Sequence, residues 1–370
     1  MIELRRAWAA PSQDDGGSEG RATPFQDVRW SHAWYSTLGA SAGTEPLIVT
    51  IRDRASSEPA LTLGLILRTI ANLKIVEFAD REVTDCNAPV LGPASPVALR
   101  SAAVMWRELC GALHGVDLVR LRKMPDEING RPNPFALLRA ARPCAVNRNI
   151  VSIGEDFAVY KSSLARSVRK ELERSWRVFT RFPDATFRVA TNVNEALDVF
   201  AIMEAQQADR MRGLGASYLL SDPSFASFYR EVLIGGVDDG YAVITTLTSG
   251  NETVAALMGI RRGPCYVMLR HGTGRDRWSN CSPGRLIVDR TMAWLHADGV
   301  REFDFSLGNY AYKRRFGVTR VPLIDVTVAL SWRGLPGWIG DRGAQWILRH
   351  PILTAVARRM ARKRAIRQEA

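Results

Sequence analysis

The order in which helix-like and strand-like runs follow one another constrains this chain more than any other feature. A helical pattern over 25–38 leads into three strand-like runs, 47–52, 61–68 and 74–78, then a helix over 96–113 and a strand over 116–122. The same order returns later: helices at 193–211 and 223–234, strands at 241–248, 253–261 and 265–270, a helix at 283–298 and a strand at 302–307. Short β-rich runs bounded by Gly, Asn and Pro read as strands, and apolar residues recurring every three to four positions read as helices. The halves share this order and no obvious residues, so the repetition is topological. Three antiparallel strands feeding a helix and a further strand predict an α+β fold, with helices covering a mixed, mostly antiparallel sheet in each half. A chain of 370 residues is long enough for two such cores. The reading divides it into a flexible lead-in (1–22), a first half (23–150), a second half (151–335) and a basic helical tail (336–370).

Several classes drop out. No run reaches the roughly 18 apolar residues that a membrane-spanning helix needs, since 61–78 is broken by Arg68 and Lys74. The first ten residues turn polar at once, unlike a signal peptide, so a cytoplasmic location is expected. The five cysteines are scattered and odd in number, and the histidines lack ligand spacing, so neither a disulfide framework nor a metal site is expected. The net charge of +12 is concentrated: 161–181 carries +5 and 338–370 carries +6. Two basic stretches on a near-neutral body suit anionic partners, or are two solvated helix faces. In the tail, Ile352, Val356 and Met360 recur at a spacing of four among arginines, the pattern of a helix that lies on an anionic membrane or packs on its own domain.

The sharpest local signal is WSNCSPGRLIVDRTMAWLHADGVREFDFSLG, from Trp278 to Gly308. Ser282 stands where an N-cap belongs and Pro283 fits the first helical position. Gly284 has no side chain to block a ligand, Val288, Met292 and Leu295 define a buried face, and Gly299 suits a left-handed cap. Phe303, Phe305 and Leu307 then alternate as one face of a strand. A helix opening on a side-chain-free residue directs N–H groups and a positive dipole end at one spot, which suits a pyrophosphate. The same Ser-Pro-Gly start is also ordinary capping chemistry.

This run, continued by YAYKRRFG, resembles the core of GNAT acyltransferases, and more closely a GNAT-like subfamily associated with cellulose biosynthesis, the CelD type, with its SPGRLL, FDF and YKRRF pieces. TPF with Trp30, the TDCNAP segment, and LRKMP followed by NPF extend the resemblance over about 23–330. The K-x-x-F-G run also resembles the Fem-type transferases, which move aminoacyl groups from tRNA and carry two GNAT-like halves. The resemblance implies two tandem GNAT-like domains, the first degenerate, and an acyl-CoA (acetyl-CoA) donor without metal. The acceptor is then an amine or hydroxyl of a small molecule or polysaccharide precursor. Fem-type aminoacyl transfer with tRNA as partner, and a non-catalytic role in exopolysaccharide or cellulose assembly, stay open beside it. One departure stands out: the loop has Gly284 alone where GNAT loops have two or three glycines.

On this resemblance Ser282, Gly284, Arg285 and Arg270 are the candidate cofactor contacts. Tyr312 is the candidate general acid for the leaving sulfur, with Tyr310 next in line and packing under the sheet as the competing role. Lys313 could offset charge on the tetrahedral intermediate or hold a phosphate, and Asp304 could orient the acceptor or act as base; a solvated lysine and a buried, arginine-bonded carboxylate are their plainer roles. His271, with an ordinary pKa near working pH, Arg210 and Asn87 are candidate acceptor contacts, and Asp85 and Pro89 share the Asn87 segment.

Overall fold

The structure, a computed structural model, describes residues 1–8, 21–40, 43–274 and 276–349. The first half supplies strands β1 (Ile2–Arg5), β2 (Thr44–Arg52), β3 (Pro59–Ile70), β4 (Leu73–Phe78), β5 (Val90–Leu91), β6 (Leu118–Met124), β7 (Glu127–Ile128), β8 (Arg131–Pro132) and β9 (Ala141–Ser152). The second supplies β10 (Thr186–Val189), β11 (Ala242–Ser249), β12 (Glu252–Arg262), β13 (Cys265–Thr273), β14 (Glu302–Asp304) and β15 (Thr319–Ala329). The helices are α1 (Val28–Thr37), α2 (Leu99–Ala112), α3 (Phe157–Ser163), α4 (Arg166–Phe179), α5 (Val193–Gly213), α6 (Pro223–Ile234), α7 (Pro283–Ala297), α8 (Ala311–Arg314) and α9 (Leu335–Arg349).

Among the described residues one large sheet runs β1-β2-β3-β4-β6-β15-β9-β14-β13-β12-β11-β10, with β5 on β3, and β7 and β8 form a separate hairpin. Its neighbours are antiparallel except β4–β6 and β13–β14. Each parallel pair is joined through a helix, α2 or α7, because parallel neighbours need a crossover. The last strand of each half is exchanged: β9 pairs with β14 of the second half, β15 pairs with β6 of the first, and β9 and β15 pair with each other. The exchange makes the two sheets continuous and pairs backbone groups that would otherwise form two open edges.

One apolar core packs around β2–β4 and α2, a second around α3, α4 and α7. A third is shared: Trp30 and Trp34 of α1 meet Phe228 and Tyr229 of α6, with Trp30 edge-on to Phe228 at 4.8 Å between centroids. The α5/α6 core and the α7 core lie on opposite faces of the second half's sheet.

Local differences from the sequence reading have clear causes. The basic stretch 161–181 is divided between two helices, α3 and α4, because Leu164 between them is extended and buried. Ile2–Arg5 form an edge strand on β2, ahead of the polar lead-in. The strand expected over 302–307 stops at Asp304, where the backbone is pulled into a loop described below. Ile352, Val356 and Met360 lie outside the described residues. No helix among the described residues is long and apolar enough to cross a membrane.

Candidate active site

The start of α7 differs from the expected cap. Ser282 is left-handed (φ 48°, ψ 56°), and its hydroxyl caps no backbone N–H. Instead its carbonyl accepts from the N–H groups of Arg285 (3.0 Å) and Leu286 (3.1 Å), while its Oγ accepts from the Arg285 guanidinium (2.9 Å). Pro283 has no N–H, so Gly284 alone among these first-turn residues keeps an N–H without a partner among the described residues. Gly284 is partly exposed beside the end of β13, where an added Cβ would lie 3.2 Å from Thr273 Cγ2. The Arg285 guanidinium is held by Glu171 of α4 at 2.5 Å, so it is committed to a carboxylate and not presented to an incoming phosphate. The cofactor expectation therefore narrows to Gly284: Ser282 and Arg285 serve the local turn. The buried face of α7 and the left-handed Gly299 (φ 89°) agree with the sequence reading.

A gap opens beyond the third register pair of β13 and β14. Cys265, Tyr266 and Val267 face Glu302, Phe303 and Asp304, after which β13 bulges opposite Met258/Gly259 and the other chain leaves the ladder. The departing loop is fixed from several sides. Ser306 is left-handed (φ 62°) and its Oγ donates across the gap to the Met268 carbonyl (2.8 Å). Asn149 of β9 donates to the carbonyls of Ser306 (2.9 Å) and Gly308 (3.1 Å). Lys313 donates to the carbonyls of Phe305 (2.6 Å), Leu307 (2.5 Å) and, more weakly, Ser306 (3.4 Å).

This corrects the Lys313 and Asp304 expectations. The Lys313 ammonium is buried and its three protons are taken by backbone carbonyls, so it braces the loop and leaves no donor for an intermediate or phosphate. Burial lowers its pKa to about 8 against the pull of Asp304 and Asp85. Asp304 is 1% exposed; it accepts from Arg148 Nε (2.7 Å) and from the Ser306 N–H (2.7 Å). A base must meet the acceptor, and this carboxylate meets an arginine of β9 and its own loop.

The other candidates divide. His271, at the end of β13, lies 6.2 Å from Tyr312 between ring centroids. Burial, then the positive charges of Arg210, Lys313 and Arg270, lower its pKa to about 4, so it is a neutral imidazole at neutral pH. Burial, with Tyr310 adding, raises the Tyr312 phenol to about 12, so it keeps its proton. Tyr310 is exposed and stacks on Tyr312 at 6.3 Å. Arg210 is exposed at the same corner. Arg270 turns to the α5/α6 face: its guanidinium donates to Gln207 Oε1 (3.0 and 3.2 Å) and lies over the Tyr229 ring, so it does not join Gly284. Asn87 is buried and gives its amide protons to Asp80 and the Arg122 carbonyl, a structural role in the first half.

Asp85 of the first half is partly buried; burial raises its carboxyl to about 6, partly offset by the Lys123 ammonium. Gln207, which sequence reasoning passed over, ties this corner together: it accepts from Arg270 and Tyr218 and donates to the His271 carbonyl. Nothing local marks Gln207, since its partners lie on β13 and on the segment after α5. A cavity of about 1070 Å³ lies in the first half, walled in part by Trp8, Trp30, Tyr35, Phe78 and Asn87. Neither Gly284 nor Tyr312 lines it.

Comparison with known proteins agrees with this architecture. Residues 166–314 match the family model described as an acetyltransferase (GNAT) domain. Among solved structures, FemX is similar with a TM-score of 0.59 at 10% identity, over 87% of this chain and 95% of that one. A conserved protein of unknown function from Bacteroides thetaiotaomicron VPI-5482 is similar with a TM-score of 0.52 at 12% identity, over 90% and 100% of the two chains. No curated protein matches the chain. Residues 166–314, in the second half, thus match a GNAT domain, within an α+β fold whose two halves share one mostly antiparallel sheet.

Proposed function

We propose that this chain transfers an acyl group from acyl-CoA to an amine of a small molecule or polysaccharide precursor, at the gap between β13 and the 305–309 loop. The observation that carries the reading is the meeting of a neutral His271 and a protonated Tyr312 at the mouth of that gap, inside a GNAT domain. GNAT domains use acyl-CoA, which supplies the activated acyl group. The unpaired Gly284 N–H at the positive end of α7 suits one of its phosphate oxygens. Arg174 of α4, exposed and bonded to the Asn280 carbonyl at 3.3 Å, adds a cation beside that turn.

The proton inventory then closes. The acceptor nitrogen forms the new C–N bond and the C–S bond breaks. The neutral His271 can accept a hydrogen bond that orients the nitrogen, whose proton passes to water, and Tyr312 gives a proton to the departing sulfur. Asp85 and Arg210 border the acceptor side and favour a polar, hydrogen-bonding acceptor.

A thermal-shift series tests the reading. A ligand present at about 100 times its Kd stabilises the folded state by about 2.7 kcal/mol. Acetyl-CoA or a longer acyl-CoA is expected to raise Tm, and Gly284→Glu to abolish the shift by steric and like-charge conflict. Protection by charged tRNA with none from any acyl-CoA would refute the reading in favour of Fem-type aminoacyl transfer.

A further inference from the structure

The outward face of α9 and of the turn before it carries a stripe of exposed apolar side chains. Trp332, Leu335 and Ile339 follow one another at spacings of three and four and are 79%, 46% and 60% exposed. They share one side of the turn-and-helix that begins at Trp332. The opposite side is pinned to the sheet. Gly334 lies so close to β6 that a Cβ would come within 2.0 Å of the Asp117 carbonyl oxygen, and Gly337 packs on Leu118. Asp341 receives Arg120 (2.8 Å) and Arg122 (2.6 Å). The helix cannot roll to bury its apolar side without breaking these contacts.

The charge around this stripe has one sign. Asp341 is consumed by its two arginines, while Arg333 and Arg342 are exposed beside the apolar residues. Beyond the described residues the sequence adds Arg358, Arg359, Arg362, Lys363, Arg364 and Arg367 against Glu369 alone. A tryptophan and two aliphatic side chains framed by cations match a bilayer interface, where indole rings sit at headgroup level and basic side chains meet anionic lipid.

We propose that the outward face formed by Trp332 and α9, with Arg333 and Arg342 beside it, docks this protein on an anionic lipid surface. Trp332, Leu335 and Ile339 enter the interface, and the arginines set the preference for negative headgroups. The docking is peripheral, and it is independent of the acyl-transfer reading because it uses none of the residues around Tyr312 and Gly284.

Sedimentation of the full chain with extruded vesicles tests this. Binding is expected to vesicles of phosphatidylcholine mixed with phosphatidylglycerol and not to phosphatidylcholine alone, and added salt should weaken it. The triple variant Trp332→Ser/Leu335→Ser/Ile339→Ser should partition at least roughly tenfold more weakly with an unchanged melting curve, since all three side chains are exposed. Equal binding by the triple variant would overturn the proposal and assign the charge interaction to the tail alone. Absence of binding to the phosphatidylglycerol vesicles would overturn it as well. So would a wild-type dimer that the triple variant converts to monomer, which would make the stripe a contact between two copies.

Discussion

Arg148→Met probes the joint on which the candidate site is built. Arg148 belongs to β9, the strand given to the second half, and Asp304 ends β14, the strand that receives it. Their contact is 2.7 Å long, with side-chain exposures of 11% and 1%. Methionine keeps much of the apolar stem and removes the guanidinium, leaving a buried carboxylate with the Ser306 N–H as its remaining close partner. Deleting one partner of a buried ion pair costs about 3–5 kcal/mol. At about 2–4 °C per kcal/mol for a chain of this order of size, Tm should fall by roughly 6–20 °C. The double variant Arg148→Met/Asp304→Leu should recover most of this, because an apolar pair of similar volume is often as stable as the ions it replaces. It should stay about 1–2 kcal/mol below wild type, since the Ser306 N–H loses its acceptor. Urea denaturation followed by circular dichroism measures both variants. A loss below about 1 kcal/mol in the single variant, or no recovery in the double, would refute the claim that this pair clamps the exchanged strands and that Asp304 is structural.

Other outcomes follow from the same geometry. Tyr312→Phe should lower kcat for acyl transfer by about 10²–10⁴ with KM little changed, as expected for loss of a general acid; steady-state kinetics with an acyl-CoA decide, and an unchanged kcat assigns the ring to packing. Asp85 has a carboxyl raised to about 6 by burial. The folded state therefore holds its proton more tightly than the unfolded chain, and the stability this gives is complete below about pH 4 and lost as pH rises through about 6. Asp85→Asn should remove that decline, worth about 1–3 kcal/mol, in denaturation curves recorded from about pH 4 to about pH 7. Trp30→Ala should cost about 3–5 kcal/mol because the ring is 2% exposed and packed against Phe25 and Phe228. A loss under about 1 kcal/mol would mean that the shared core between α1 and α6 does not join the halves.

Much of the fold was legible because it is written in local periodicity. Strands β2, β3, β4, β11, β12 and β13 and helices α2 and α7 fall close to where the alternation and the turn residues put them. The α7 face of Val288, Met292 and Leu295 and the left-handed Gly299 needed only neighbouring residues to be read. Two of the candidate residues, His271 and Tyr312, come from separate segments and lie 6.2 Å apart between ring centroids. The roles within that corner were less legible. Lys313 reads as a free cation until the carbonyls of Phe305, Ser306 and Leu307 are seen to occupy it. Ser282 reads as an N-cap until its left-handed backbone turns the hydroxyl away.

The sequence by itself determined the order of elements, the amphipathic faces and the place where a helix opens on Gly284, since each depends on residues a few positions apart. Only the tertiary structure decided that β9 and β15 change sheets, that Asp304 meets Arg148 from 156 residues away, and that Asn149 of β9 holds the Ser306 carbonyl. Pairing partners and the state of a buried charge are set by what lies across the interface. Alternation records which face of a strand is apolar but not which neighbour covers its edge, and a carboxylate's role follows from the cation beside it in space.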